Sequence, residues 1–281
     1  MGAEIDLFTS YVTGGLAVRS APLVSLPDSP INAPRMALSR HDAEDSGAGP
    51  SEFSTKVVLV DVEDVLYDAS AWQRWLGQLF APLTPRTLES EFQRHWQAEY
   101  LPAVYRGQQE FHAAFARCLS TLGLTAGHVE EIVAASRAQR RRDAGARRLY
   151  PGTRSTLSQL KSAGITCGVL TNTDRTAAAL RQDLAKLGLA DAFDDYFTSV
   201  DMQAHLPHAP CFDHALQVLN VPAADVLFVS HDIRELQGAQ AAGCQAVAFN
   251  ARPCAAAIPK IDRFDGVLKL AVPAEVARVA T

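Results

Sequence analysis

The chain is 281 residues long, enough for one large domain or two modest ones with a sizeable core. Hydrophobic residues make up 48% and charged residues 20%, an ordinary balance for a soluble globular protein. A net charge of −5 gives no reason to expect nucleic acid or a membrane surface as a partner. No apolar run approaches the roughly 20 residues of a spanning helix.

Residues 1–54 are rich in Ser, Pro, Ala and Gly, and they read as a flexible extension that buries little. A protein partner, if there is one, would use this extension. The start of the chain lacks the basic and then apolar pattern of a signal peptide. The five cysteines are odd in number, form no CxxC pair and lie mostly in apolar runs. They read as buried reduced thiols of a cytoplasmic protein.

From residue 57 the pattern is regular. "VVLV" (57–60), "ITCGVL" (165–170), "YFTSV" (196–200), "DVLFV" (225–229) and "QAVAF" (245–249) are short, continuous apolar runs. Continuous hydrophobicity suits strands buried on both faces of a parallel sheet. Helical stretches at 153–164, 175–188, 209–220 and 234–243 separate the later runs, the first two and the last ending in a Gly. The alternation predicts an α/β fold, a Rossmann-like doubly wound parallel sheet, over residues 55–68 and 149–281.

The span 69–148 breaks the alternation. It shows helical spacing throughout and predicts an inserted helical subdomain of about four helices, a cap. Its aromatic residues, Trp72, Trp75, Phe80, Phe92, Trp96, Phe111 and Phe115, recur at helical spacing and read as the core of that subdomain. The run "RAQRRRDAGARR" (137–148) reads as a solvated helix end, ahead of an anion-binding patch.

In open α/β sheets ligands sit at the carboxyl ends of the strands. The residues there are Asp61 and Glu63, then Thr171, Asn172 and Thr173, the loop "HLPHAP" (205–210), and finally Ser230, His231, Asp232 and Glu235. The acids Asp61, Glu63, Asp64 and Asp68 crowd into eight positions and need a neutralising partner. No GxGxxG or GxxxxGK motif supports a nucleotide site.

The strand with its acid cluster, the helical insert, "LYPGTRSTLSQLKSAGITCGVLTNT" and "ELQGAQAAGCQAVAF" together resemble the haloacid dehalogenase superfamily over about residues 56–270. Its members are mostly phosphatases that work through an aspartyl-phosphate, and the insert resembles the helical cap that encloses small substrates. The resemblance implies Asp61 as nucleophile, Glu63 in the place of the leaving-group acid, and Thr171 as the hydroxyl that holds the phosphoryl group. Asn172 and Arg175 fall in the substrate-binding region. The implied Mg2+ would be held by Asp61, Glu63, the residue at His231 and Glu235, with Asp232 as alternate.

Four positions depart from the family pattern. Glu63 replaces an Asp, and Asp64-Val65 replaces Gly-Thr. Leu206 stands where the pattern has a Lys that holds nucleophile and phosphate together. His231 stands where a carboxylate ligand of Mg2+ is expected, and Mg2+ prefers hard oxygen ligands. The expectation is a protein of phosphomonoesterase ancestry that binds or acts on a small phosphorylated or anionic metabolite, with weak or no phosphatase activity. The alternative is an active hydrolase with a rewired site. There His231 and Glu235 would hold a nitrogen-tolerant metal such as Zn2+ or Mn2+, or a protonated His231 would itself supply the positive charge. Arg175, His205 and His208 are further candidates for the missing cation. A metal-free halide-displacing enzyme ranks below both readings.

Overall fold

A computed structural model describes residues 55–81, 87–251 and 258–272. The extension at 1–54 and Cys254 lie outside them.

The first strand, β1 (Val57–Val60), is buried along its whole length. The chain then makes α1 (Ala71–Phe80), α2 (Thr87–His95), a π-helical turn (Trp96–Tyr100), α3 (Leu101–Tyr105), α4 (Phe111–Thr121) and α5 (Ala126–Ala146). After these come α6 (Thr153–Ser162), β2 (Thr166–Thr171), α7 (Ala177–Lys186), β3 (Asp195–Thr198), α8 (Ser199–Met202) and α9 (Ala209–Leu219). The chain continues through β4 (Val226–Ser230), α10 (Ile233–Ala241), β5 (Gln245–Phe249), β6 (Lys260–Ile261) and α11 (Gly266–Ala271). No helix among the described residues is long and apolar enough to cross a membrane.

The six strands form one parallel sheet in the order β3-β2-β1-β4-β5-β6. Its two faces are visible within β1. Val58 and Val60 pack into a cluster with Leu157, Leu160, Leu180, Leu184 and Phe264, whereas Val57 and Leu59 join Phe212, Phe228 and Leu236. Burial on both faces is what the continuous apolar runs encode. The order places β1 and β4 side by side at the centre, so Asp61 and Ser230–Glu235 emerge next to each other. The Asp61 N–H, one residue past β1, still donates to the Val229 carbonyl at 2.9 Å.

Two local outcomes differ from the sequence pattern. The third strand ends at Thr198 rather than 200. The Thr198 hydroxyl accepts from the Asp201 N–H at 3.4 Å, so the next residues turn into α8. The helical pattern at 84–100 also runs further, through Pro102 to Tyr105. Proline has no N–H to donate. Just before it the Leu101 N–H reaches back five residues to the Trp96 carbonyl, and this π turn carries the helix past the gap. The helix therefore delivers Tyr105 to the sheet edge.

Phe80, Phe92, Trp96, Phe111 and Phe115 form the buried core of the insert, with Trp72 and Trp75 partly buried against it. Four of the five cysteines are described, and all four are buried and free. Burial pushes the Cys118, Cys167 and Cys211 thiols up to about 12.

Candidate active site

Asp61 is only 4% exposed at the end of β1. Two side chains meet its two oxygens. The Thr171 hydroxyl, at the end of the adjacent β2, donates to Oδ1 at 2.6 Å. The His231 imidazole, just past β4 on the other side, donates through Nδ1 to Oδ2 at 3.3 Å. The same ring brings Nε2 to 4.0 Å from an Asp64 carboxylate oxygen. Asp61 and Thr171 thus come together as the sequence pattern implies, and His231 faces the carboxylate directly.

Burial alone would lower the His231 pKa. The hydrogen bond and charge of Asp61, with Asp64 and Glu235 behind it, overcome that and raise it to about 9. At neutral pH the ring is therefore an imidazolium inside the acid cluster.

The loop after Asp61 explains the Gly-Thr departure. Asp64 has φ = 57°, in the left-handed region that favours glycine. Asp tolerates it better than most residues because its short side chain can bond locally. Here Oδ1 accepts from the Ala69 N–H at 2.8 Å.

Glu63 is exposed to solvent, although protein crowds it closely. Burial raises its carboxyl above the ordinary range, Arg147 and then Arg140 pull it back, and the net shift is upward. Tyr105 lies close to the same carboxylates. Burial raises its phenol, and the negative charges of Glu63, Glu235, Asp61 and Asp174 add to that.

Glu235 is 7% exposed, and both its oxygens are committed. Asn172 Nδ2 donates to Oε1 at 2.9 Å and the Ser230 hydroxyl to Oε2 at 2.8 Å. Burial and the charge of Asp61 push its pKa up to about 8, against the lowering effect of Ser230. Asp232 faces away. It caps α10 by accepting from the Arg234 N–H at 2.8 Å and pairs with the Arg234 guanidinium at 2.7 Å. It does not take up the alternate ligand role.

The residues implied for Mg2+ do not fit that ion. Among the described residues no group of three or more His, Cys, Asp and Glu side chains is placed to hold a metal. One implied ligand, His231, is a cationic ring donating to Asp61, a second, Glu235, accepts from Asn172 and Ser230, and a third, Glu63, has Arg147 as its foremost electrostatic partner.

The substrate-side assignments also change. Asn172 is turned to structure. Besides Glu235, its Nδ2 donates to the Leu206 carbonyl at 3.1 Å, and its Oδ1 accepts from the Leu206 N–H at 2.8 Å. Arg175 pairs with Asp183 at 3.1 Å and is exposed. Leu206 itself is 3% exposed and packs with Phe197, Phe212 and Leu236. His205 bonds the Leu206 carbonyl through Nδ1 at 3.0 Å and packs edge-on to His208. None of Arg175, His205 and His208 hydrogen-bonds or ion-pairs with Asp61.

Sequence reasoning missed two contributors. Arg140 and Arg147, from the run read as a solvated helix end, are half-buried, while Arg137, Arg141, Arg142 and Arg148 are exposed as expected. Arg140 pairs with Asp174 at 2.6 Å and lies 3.7 Å over the Phe111 ring. A helix face aimed at the sheet edge would have flagged Arg140. No local signal marks Arg147, which follows the last turn of α5.

A parallel sheet with a carboxylate at the end of its central strand, hydroxyl and cation beside it, and a helical insert after that strand define a Rossmann-like α/β scaffold with its site at the strand ends. The haloacid dehalogenase-like hydrolase family model matches residues 55–243, and the chain belongs to that family. It is 36% identical over 100 residues to a phosphoglycolate phosphatase of Neisseria gonorrhoeae, covering 36% of this chain and 42% of that one. It is 33% identical over 82 residues to a glyceraldehyde 3-phosphate phosphatase of Methanocaldococcus jannaschii, covering 29% and 35%. The chain thus aligns with less than half the length of these relatives. Among solved structures it is similar to an L-2-haloacid dehalogenase, with TM-score 0.59 and 21% identity over 78% of this chain and all of that one. It is also similar to a 2-haloacid dehalogenase of Pseudomonas syringae, with TM-score 0.53 and 21% identity over 81% of this chain and all of that one. At these identities the structural likeness speaks for the fold.

Proposed function

We propose that this phosphatase-like hydrolase binds a small phosphorylated or otherwise anionic metabolite beneath its helical cap, and that its Mg2+-dependent phosphomonoesterase activity is weak or absent. The observation that carries this reading is His231 Nδ1 at 3.3 Å from Asp61, where a metal-binding carboxylate is expected. Two like unit charges 4 Å apart repel by about 4 kcal/mol at an effective dielectric near 20. An anion approaching Asp61 therefore needs a cation close by. Leu206 supplies none, and the His231 imidazolium does.

A second reading, an active hydrolase with a rewired site, has one observation in its favour. The raised Glu63 carboxyl keeps its proton longer than an ordinary glutamate, as a leaving-group acid must. It keeps Asp61 as nucleophile, with the Thr171 hydroxyl, which donates to Asp61 at 2.6 Å, as the group that would hold the phosphoryl oxygen.

Steady-state assays with p-nitrophenyl phosphate and phosphoglycolate, with and without Mg2+, separate the two. Negligible turnover in both conditions, with metal-independent binding of inorganic phosphate lost in His231→Ala, supports the main reading. Metal-independent turnover abolished by Asp61→Asn or Glu63→Gln supports the second. Strong Mg2+-dependent turnover that disappears in Asp61→Asn sinks both. The reading keeps a small-molecule ligand as the partner.

A further inference from the structure

The loop between α8 and α9 closes a turn of its own. The His208 N–H donates to the His205 carbonyl at 3.1 Å, across the segment His205-Leu206-Pro207-His208. Pro207 within the turn and Pro210 just after it each fix a φ angle, so the loop has little freedom. Asn172 grips it through the N–H and the carbonyl of Leu206, at 2.8 and 3.1 Å. This held turn carries two imidazoles, with ring centres 4.5 Å apart and planes at 71°.

The bonding of His205 leaves its other nitrogen ready for a ligand. Nδ1 stands 3.0 Å from the Leu206 carbonyl oxygen. A carbonyl has no proton to give, so Nδ1 carries the hydrogen and donates it. Burial lowers the His205 pKa, and the charges of His208 and Arg106 add to that, against the raising effect of the carbonyl bond. The ring is therefore neutral at pH 7, and Nε2 keeps its lone pair. Among the described residues none hydrogen-bonds to His205 Nε2 or to either ring nitrogen of His208, which is exposed.

An imidazole whose one N–H is tied to a carbonyl, with the opposite nitrogen free, has the arrangement of a metal-bound histidine, because the outer bond fixes tautomer and orientation. With metal–nitrogen bonds of about 2.0–2.1 Å, two imidazoles on one ion bring their ring centres to about 4–5 Å. The pair already stands at that separation, and the exposed His208 ring can turn a free nitrogen toward His205 Nε2. Arg106 is the opposing charge. It forks onto Gln108 Oε1 at 3.1 and 3.2 Å and disfavours a proton and a metal ion on His205 alike. Binding must therefore come from the nitrogen bonds themselves, which selects ions that take imidazole over Mg2+.

We propose that His205 and His208 form a surface site for an imidazole-seeking divalent ion, Zn2+ or Ni2+, distinct from the acid cluster around Asp61, with water completing the coordination shell.

Calorimetric titration of Zn2+ and Ni2+ into the untagged full chain at pH 7 tests this. Wild type should take up one equivalent of either ion at submillimolar concentration, and Asp61→Asn and His231→Ala should keep that equivalent. His208→Gln removes an exposed ring that bonds to nothing, so it leaves the fold intact. It should weaken binding by at least about tenfold, the smaller of the losses that follow removal of even an outer-shell partner. His205→Gln should do the same, with a thermal midpoint measured in chelator to report its fold. The proposal is overturned if wild type takes up neither ion at submillimolar concentration, or if the affinity survives the double variant His205→Gln, His208→Gln. Loss of the equivalent in Asp61→Asn would also overturn it, by assigning the ion to the acid cluster.

Discussion

His231 Nδ1 and Asp61 Oδ2 stand 3.3 Å apart across the ends of β4 and β1, with Thr171 on the other carboxylate oxygen at 2.6 Å. Asp61, the first acid of the cluster, therefore has its counter-charge from within the fold, from a side chain at the position where the family pattern has a metal ligand. Several measurable consequences follow from that pair and from the loop around Leu206.

Protonation of His231 ties stability to pH. Its folded pKa, raised to about 9, lies above the ordinary 6.5. The stabilisation is fully present below 6.5 and is lost as pH rises through 9. Glu235, raised from 4.5 to about 8, adds a loss of the same sign as it ionises in its buried site. Urea denaturation should give lower stability at pH 9.5 than at pH 6.5, with a shallower fall in His231→Gln. The His231 side chain is 37% exposed, so solvent screens the pair and the His231 share of the slope is modest. A stability rising across that range would contradict the account.

Removing the hydroxyl that Asp61 accepts from should be costly. Thr171→Val keeps the shape and leaves one oxygen of a buried carboxylate without its donor. Bonds to charged groups contribute about 1.5–3 kcal/mol. Chemical denaturation at pH 7 should show a loss of about 2 kcal/mol, and anion binding at the site should weaken. An unchanged midpoint would mean that the hydroxyl bond is not formed in solution.

The loop carrying Leu206 depends on a glycine. A Cβ at Gly238 would meet the Pro207 carbonyl oxygen at 2.6 Å and Pro207 Cβ at 2.9 Å. The first is a backbone contact, and Asn172 holds both the N–H and the carbonyl of the preceding Leu206, so the clash has no easy relief. Gly238→Ala should destabilise by about 1–3 kcal/mol, the range for overpacking. A thermal midpoint within a degree of wild type would show that this loop yields more readily than its hydrogen bonds suggest.

Restoring the family's charges should restore some of its chemistry. Leu206→Lys with His231→Asp replaces the imidazolium by a carboxylate and returns a cation to the loop. Assays of p-nitrophenyl phosphate hydrolysis should show a gain with Mg2+ that neither single variant gives. No gain would mean that the commitment of Glu235 to Asn172 and Ser230 closes the site to metal regardless of these two positions.

Much of this arrangement is legible in the sequence, for identifiable reasons. Strands buried on both faces write themselves as unbroken apolar runs, and β1, β2, β4 and β5 fall within a residue of those runs. Asp61 and Thr171 are legible because the sheet fixes them at neighbouring strand ends. The remainder depends on side-chain direction. The family pattern puts Asn172 in the substrate-binding region, but its amide turns to the Leu206 backbone, a choice made by a residue 34 positions away. Asp232 follows His231 directly, yet capping α10 and pairing with Arg234 draw it outward. Arg140 and Arg147 sit in a run whose composition says only "charged", and only their contacts, with Asp174 and Phe111 for the one and Tyr67 for the other, separate them from Arg141, Arg142 and Arg148. Asp64 looked like one charge too many, and its φ of 57° shows a glycine position filled by a residue that bonds its own loop.

The central claim is that His231 takes the metal's place beside Asp61. Calorimetric titration of Mg2+ into wild type and into His231→Asp at pH 7 tests it most directly. The account predicts no binding to wild type at millimolar Mg2+ and measurable binding to the variant. Millimolar or tighter binding by wild type that is lost in Asp61→Asn would contradict it.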